Sequence, residues 1–84
     1  MSEVSFILFR RDDCCFCDKA EKLLKEKKES LKIVNFEHSQ MKVFKEIQNT
    51  YDWETAPMIF KRKENDIKFI GGYSDLVEFF ENDG

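Results

Sequence analysis

With 84 residues, nine of them phenylalanine, and a formal net charge of −3, the chain is long enough for one modest core built on a few large aromatic side chains. The acidic balance argues against a nucleic-acid or anionic-membrane surface, since both need a basic footprint. Met1-Ser2-Glu3 lacks the basic region and apolar run of a signal peptide, and no stretch approaches transmembrane length. The expected setting is a reducing cytoplasm, with residues 1–84 forming one domain.

Ser5–Arg10 reads as a strand apolar on both faces, which suits a central place in a sheet. Ala20, Leu23, Leu24 and Lys27 then recur at helical spacing and predict a helix from about Cys15 to about Lys28. Leu31, Ile33 and Val34 suggest a second strand ending near Phe36, and Met41, Phe44, Ile47 and Tyr51 form the stripe of a second helix. Met58-Ile59-Phe60 looks like a short buried strand, paired through a hairpin across Glu64-Asn65-Asp66 with a strand carrying Ile67 and Phe69. Gly71-Gly72 breaks the pattern, and Ser74 or Asp75 is expected to cap a last helix carrying Leu76, Val77, Phe79 and Phe80. The order β-α-β-α-β-β-α predicts an α/β fold, a four-stranded mixed sheet flanked by three helices.

Cys14-Cys15-Phe16-Cys17 falls between the first strand and the first helix. A helix N-terminus there supplies backbone N–H groups and a positive dipole end that favour a thiolate, and a second thiol one turn on makes the pair suited to thiol–disulfide exchange. Cys14, at the exposed end of the helix, is the candidate nucleophile, and Cys17 the candidate resolving thiol. A zinc site is the competing reading, but it wants four ligands and the only other obvious one is His38. Arg10 and Arg11 favour the thiolate; Asp12 and Asp13 oppose it, and Asp13 could cap the same N–H groups. Trp53 reads as packing or rim, His38 as a solvated loop residue, and the charge-rich region from Lys25 to Lys32 as a solvated helix face.

The chain resembles the glutaredoxins, the short form of the thioredoxin fold, over nearly its whole length. Cys14-Cys15-Phe16-Cys17 looks like the family's C-P-Y-C or C-P-F-C with Cys15 in place of proline. Thr55-Ala56-Pro57 looks like its T-V-P, and Gly71-Gly72-Tyr73-Ser74-Asp75-Leu76 is similar to its G-G-C-S-D-L. The resemblance implies a glutathione-dependent thiol–disulfide oxidoreductase acting through Cys14 and Cys17, with glutathione as reducing co-substrate and no tightly bound cofactor or metal. It implies a cis Pro57 facing the cysteines and a glutathione site formed by Arg11, Phe16, Thr55, Ala56, Pro57, Gly72, Tyr73, Ser74 and Asp75. Within that site Ala56 would offer its backbone N–H and C=O to the glutathione cysteine. The start of the last helix would receive the γ-glutamyl carboxylate, and Asp75 the ammonium. Expected partners are glutathione and disulfide-containing or glutathionylated proteins, with no nucleic acid and no membrane, and the chain is expected to be a monomer.

Two positions depart from the family. Phe44 stands where relatives place Gln or Arg to hold the glycine carboxylate, with Lys45 able to compensate only in a shifted helix register. Glu54 stands where they often have a basic residue. Glutathione binding is therefore expected to be weaker than is typical. Phe44 and Glu54 also favour an alternative, an electron donor for ribonucleotide reductase recharged by thioredoxin reductase. Cys15, standing in place of the proline, reads either as an auxiliary thiol or as a small residue at a tolerant position, and it motivates a second alternative, a [2Fe–2S]-bridged form with Cys14 and glutathione as ligands.

Overall fold

The computed structural model describes residues 4–27 and 29–83, so the Met1-Ser2-Glu3 start and Lys28, the expected end of the first helix, lie outside the described residues. The elements run β1 (Val4–Arg11), α1 (Cys15–Glu26), β2 (Ser30–Phe36), a 3-10 turn (His38–Gln40), α2 (Met41–Thr50), β3 (Met58–Lys63), β4 (Asp66–Gly71) and α3 (Tyr73–Asp83). This is the order the sequence pattern predicts, and the sheet is mixed, with strand order β2-β1-β3-β4. β1 pairs in parallel with β2 because α1 carries the chain back across the sheet. The β3–β4 hairpin completes the other half with antiparallel pairings.

Alternation along the strands splits the apolar residues between two faces. Phe6, Leu8 and Ile59 pack with Ala20 and Leu24 of α1 and Leu76 of α3. Met58 and Phe60 turn the other way, onto Phe36 and Phe44, with Phe9 and Phe69 against them. β1 is therefore covered on both sides, which is why its sequence reads as a continuous apolar run. The second face is a chain of phenylalanine rings from Phe44 through Phe36, Phe9 and Phe60 to Phe69, with successive centroids 5.1–5.5 Å apart. Burying each such side chain stabilises the fold by roughly 1.5–3 kcal/mol, so this row of rings carries much of that face.

α1 ends at Glu26, short of the expected boundary, with the Lys27 N–H closing the last turn on the Leu23 carbonyl at 3.1 Å. Lys27 still belongs to the apolar stripe, because its ammonium lies 5.3 Å from the centre of the Phe80 ring. α2 ends differently. The Asp52 N–H donates to the Asn49 carbonyl at 3.2 Å and the Trp53 N–H to the Gln48 carbonyl at 2.8 Å. That pair of bonds is a Schellman motif, and it needs a left-handed residue, here Asp52 at φ 52°. Glycine adopts that conformation without the side-chain penalty. Asp52→Gly is thus expected to stabilise the protein by about 1 kcal/mol or less, read as a higher urea midpoint at unchanged slope.

β3 and β4 fall out of step between Ile59 and Phe60, which pair with Gly71 and Phe69, leaving Ile70 as the extra residue of a bulge. The bulge turns the chain out of the sheet at Gly71, whose φ is +128°, and into α3. Among the described residues no helix is long and apolar enough to cross a membrane.

Candidate active site

β1 delivers the chain to the mouth of α1, and Cys14 itself is the helix N-cap, with φ −121° and ψ 105°. Its sulfur accepts the Cys17 N–H at 3.3 Å. Asp13 does not take that place; it occupies a left-handed conformation at φ 55° in the turn before the helix. The sulfur of Cys14 thus holds one of the unpaired N–H groups at the helix start. Cys14 is 7 % exposed and Cys17 fully buried, whereas Cys15 points into solvent, and all three thiols are free. A reactant reaches Cys14 only through the cleft beside it.

Burial pushes the Cys17 thiol up to about 12, reinforced by its hydrogen bond with the Cys14 sulfur. Cys17 is therefore held as the neutral thiol at physiological pH. The sign for stability follows from a folded value above the reference of 9.0. The contribution is complete below about 9 and is lost as pH rises from there through about 12. Urea midpoints taken at pH 8 and pH 10.5 should fall more for the wild type than for Cys17→Ser, which lacks the group.

The two arginines divide their work. The Arg10 guanidinium is committed to α1, 2.6 Å from Asp18 and 2.9 Å from Glu21, with Lys25 joining Glu21 at 3.0 Å. Burial opposes the charge on Arg10, and the bonds to Asp18 and Glu21 outweigh it, so its value is raised. Glu21 is held below the usual carboxylate range, chiefly by Lys25. Arg10 thus ties β1 to α1, and Arg11 is the arginine that lines the cleft at Cys14. Asp12 is turned away, accepting from the Asn35 side chain at 3.0 Å.

The cleft has two arms that share Phe16, Thr55 and Ala56. The larger, about 470 Å³, holds Arg11, Cys14 and Cys15 on one wall and Lys45, Gln48 and Glu54 on the other. The smaller, about 210 Å³, runs from Trp53 to Gly72, Tyr73, Ser74 and Asp75 at the start of α3. At the junction the Ala56 carbonyl lies 3.9 Å from the Cys14 sulfur, followed by a cis Ala56–Pro57 bond, the isomer the resemblance implies. Arg11, Cys14, Cys15, Phe16, Thr55, Ala56, Gly72, Tyr73, Ser74 and Asp75 line these two arms, whereas Cys17 and Pro57 are fully buried and line neither.

The start of α3 differs in detail from expectation. The helix opens at Tyr73, so Gly72 occupies the cap position in place of Ser74 or Asp75. Asp75, third in the helix, reaches back to accept the Gly72 N–H at 3.0 Å, one half of a capping box. Phe16, half exposed, lies 6.2 Å from the Tyr73 ring and 5.2 Å under the Lys19 ammonium. Phe44, by contrast, is 1 % exposed and belongs to the ring stack. Lys45 reaches the cleft without any shift of register.

Gln48 is the residue that sequence reading missed. Its side-chain amide donates to the Thr55 carbonyl at 3.1 Å, and its backbone carbonyl holds Trp53. The only signal in the sequence is its spacing, one helical turn after Phe44 on the same face of α2. Trp53 is part of the cleft wall and also core, with its ring against Phe69 at 5.1 Å and its Nε1 the one buried side-chain polar atom without a partner among the described residues. Among those residues no group of three or more His, Cys, Asp or Glu gathers to hold a metal ion.

The profile of the Glutaredoxin family matches residues 6–65. A search of curated protein sequences finds no match. Among solved structures, the chain is similar to the dithiolic glutaredoxin of Trypanosoma brucei brucei at 28% identity and TM-score 0.73, over 94% of this chain and 79% of that one. It is similar to glutaredoxin 1 of Francisella tularensis at 18% identity and TM-score 0.73, over 94% of both chains. A wheat glutaredoxin superposes with TM-score 0.76 at 22% identity, over 93% of this chain and 73% of that one.

Proposed function

The chain belongs to the glutaredoxin family and has the thioredoxin-like fold of a thiol–disulfide oxidoreductase, and from that premise we propose that it reduces protein disulfides and glutathionylated proteins at the expense of glutathione. The observation that carries this reading is the meeting of the two cleft arms at Ala56, beside the Cys14 sulfur. Glutathione is a short peptide with a carboxylate at each end, an ammonium beside one of them, and its thiol in the middle. The arms offer it cationic Arg11 and Lys45 at one end and the free N–H groups of α3 at the other. Asp75 faces the end where the γ-glutamyl ammonium would lie.

In the proposed cycle the Cys14 thiolate attacks the glutathione sulfur of a protein mixed disulfide. The disulfide bond between the protein sulfur and the glutathione sulfur breaks, the protein sulfur leaves and takes up a proton, and Cys14 carries the glutathione in a new disulfide. A second glutathione thiolate attacks that glutathione sulfur, releasing the Cys14 thiolate and glutathione disulfide. When the substrate is a protein disulfide, Cys17 attacks the mixed disulfide at Cys14, forming the Cys14–Cys17 disulfide and freeing the substrate thiol. Two glutathiones then restore the dithiol. We read residues 1–84 as one domain doing this as a cytoplasmic monomer.

Phe44 in the core and Glu54 on the cleft wall favour a second reading, a ribonucleotide-reductase donor recharged by thioredoxin reductase. The test is reduction of a glutathionylated peptide with either glutathione or thioredoxin reductase and NADPH as the electron source. Turnover with glutathione is the expected result. Turnover with thioredoxin reductase alone would replace the first reading by the second.

A further inference from the structure

We propose that Gln48 is a positioning residue for substrate binding, holding the Thr55–Ala56 peptide plane so that the Ala56 N–H is presented to the incoming sulfur-bearing residue. The inference rests on the reading that glutathione binds through the Ala56 backbone. Its physical basis is that the Thr55 carbonyl and the Ala56 N–H are two ends of one planar peptide unit. The Gln48 amide donates to that carbonyl at 3.1 Å, so fixing one end fixes the direction of the other. Donation to a carbonyl also polarises the peptide, which strengthens its N–H as a donor.

Gln48 is itself held on both sides. Its carbonyl accepts the Trp53 N–H at 2.8 Å and the Tyr51 N–H at 3.2 Å, so the base of the side chain is fixed by the end of α2. The loop from Tyr51 to Pro57 is thus gripped twice by one residue, near its start through the backbone and near its end through the side chain. At that end the Ala56 carbonyl already stands 3.9 Å from the Cys14 sulfur, so a small rotation of the preceding peptide would misdirect a bound thiol. The side-chain bond is exposed at the cleft wall, where it adds little to folding and is well placed to act on a ligand.

Gln48→Met keeps the length of the side chain and removes the donor; Gln48→Glu removes the donor and sets a carboxylate against the Thr55 carbonyl. Both leave the backbone bonds of the α2 end intact. The measurement is steady-state reduction of a glutathionylated peptide with glutathione, with the Ala56 amide followed by NMR as S-methylglutathione is added. The expected result is a KM raised about fivefold to tenfold in Gln48→Met, the worth of one hydrogen bond, and further in Gln48→Glu, with kcat changed less than about twofold. The downfield movement of the Ala56 amide on binding should shrink in both variants. A merely structural role would instead lower the active fraction, and with it the apparent kcat, and leave KM in place. Wild-type turnover with an unchanged KM in both variants would overturn the role of Gln48 and leave the glutathione reading standing. Absence of turnover and of any Ala56 shift in the wild type would overturn both.

Discussion

Cys14→Ser is expected to lower reduction of a glutathionylated peptide by on the order of a thousandfold or more, while Cys17→Ser keeps substantial turnover on the same substrate. The asymmetry follows from where the sulfurs sit. Cys14 caps α1, its sulfur accepts the Cys17 N–H at 3.3 Å, and it opens onto the cleft. An alcohol at that position is not ionised near neutral pH and cannot serve as nucleophile or leaving group. Cys17 is fully buried and held as a thiol, so it meets only a sulfur already bound to Cys14. It is dispensable when a second glutathione completes the cycle and required when the substrate is a protein disulfide. Steady-state rates of both variants on both substrates check this. Residual activity of Cys14→Ser that disappears in Cys14→Ser/Cys15→Ser would move the nucleophile to Cys15.

Gly71→Ala is expected to destabilise the protein by about 2–4 kcal/mol and to weaken binding at the α3 end of the cleft. Gly71 has φ +128°, outside the range that side-chain-bearing residues ordinarily occupy. A Cβ there would lie 2.4 Å from Asp75 Oδ2 and 2.9 Å from the Asp75 Cβ, so the carboxylate cannot escape by swinging its tip alone. Its movement breaks the bond to the Gly72 N–H and removes the acid from the place where an ammonium would be received. Urea unfolding reads the first effect and KM for the glutathionylated peptide the second. Gly72→Ala is the milder neighbour, since its Cβ would come no closer than 3.5 Å, to the Trp53 ring. Equal stability of Gly71→Ala and the wild type would contradict the account of this corner.

The fold was legible because its elements carry their own patterns. β1 reads as a two-faced strand since both faces are covered, and the alternation in β3 and β4 matches a sheet whose faces bury Ile59 on one side and Phe60 on the other. Boundaries were less legible where backbone geometry decides them. Nothing in Lys27 announces the end of α1, and the cap of α3 falls on Gly72 because the bulge at Ile70 and the positive φ of Gly71 set the chain's direction. The site was legible at Cys14, Thr55-Ala56-Pro57 and Gly72 to Asp75, where the motifs are local. It was not legible where distant residues meet. Arg10 looks from its position like a partner for the thiolate, but Asp18 and Glu21 one turn apart on α1 claim it. Gln48 looks like an ordinary polar helix residue until the loop folds back to put the Thr55 carbonyl on its amide.

The most direct test is to expose Cys17→Ser to glutathione disulfide and map the product by mass spectrometry. The expected product carries one glutathione per chain, in disulfide linkage to Cys14, with one glutathione released for each one bound. An adduct confined to Cys15, or none at all on the folded protein, would contradict Cys14 as the nucleophile.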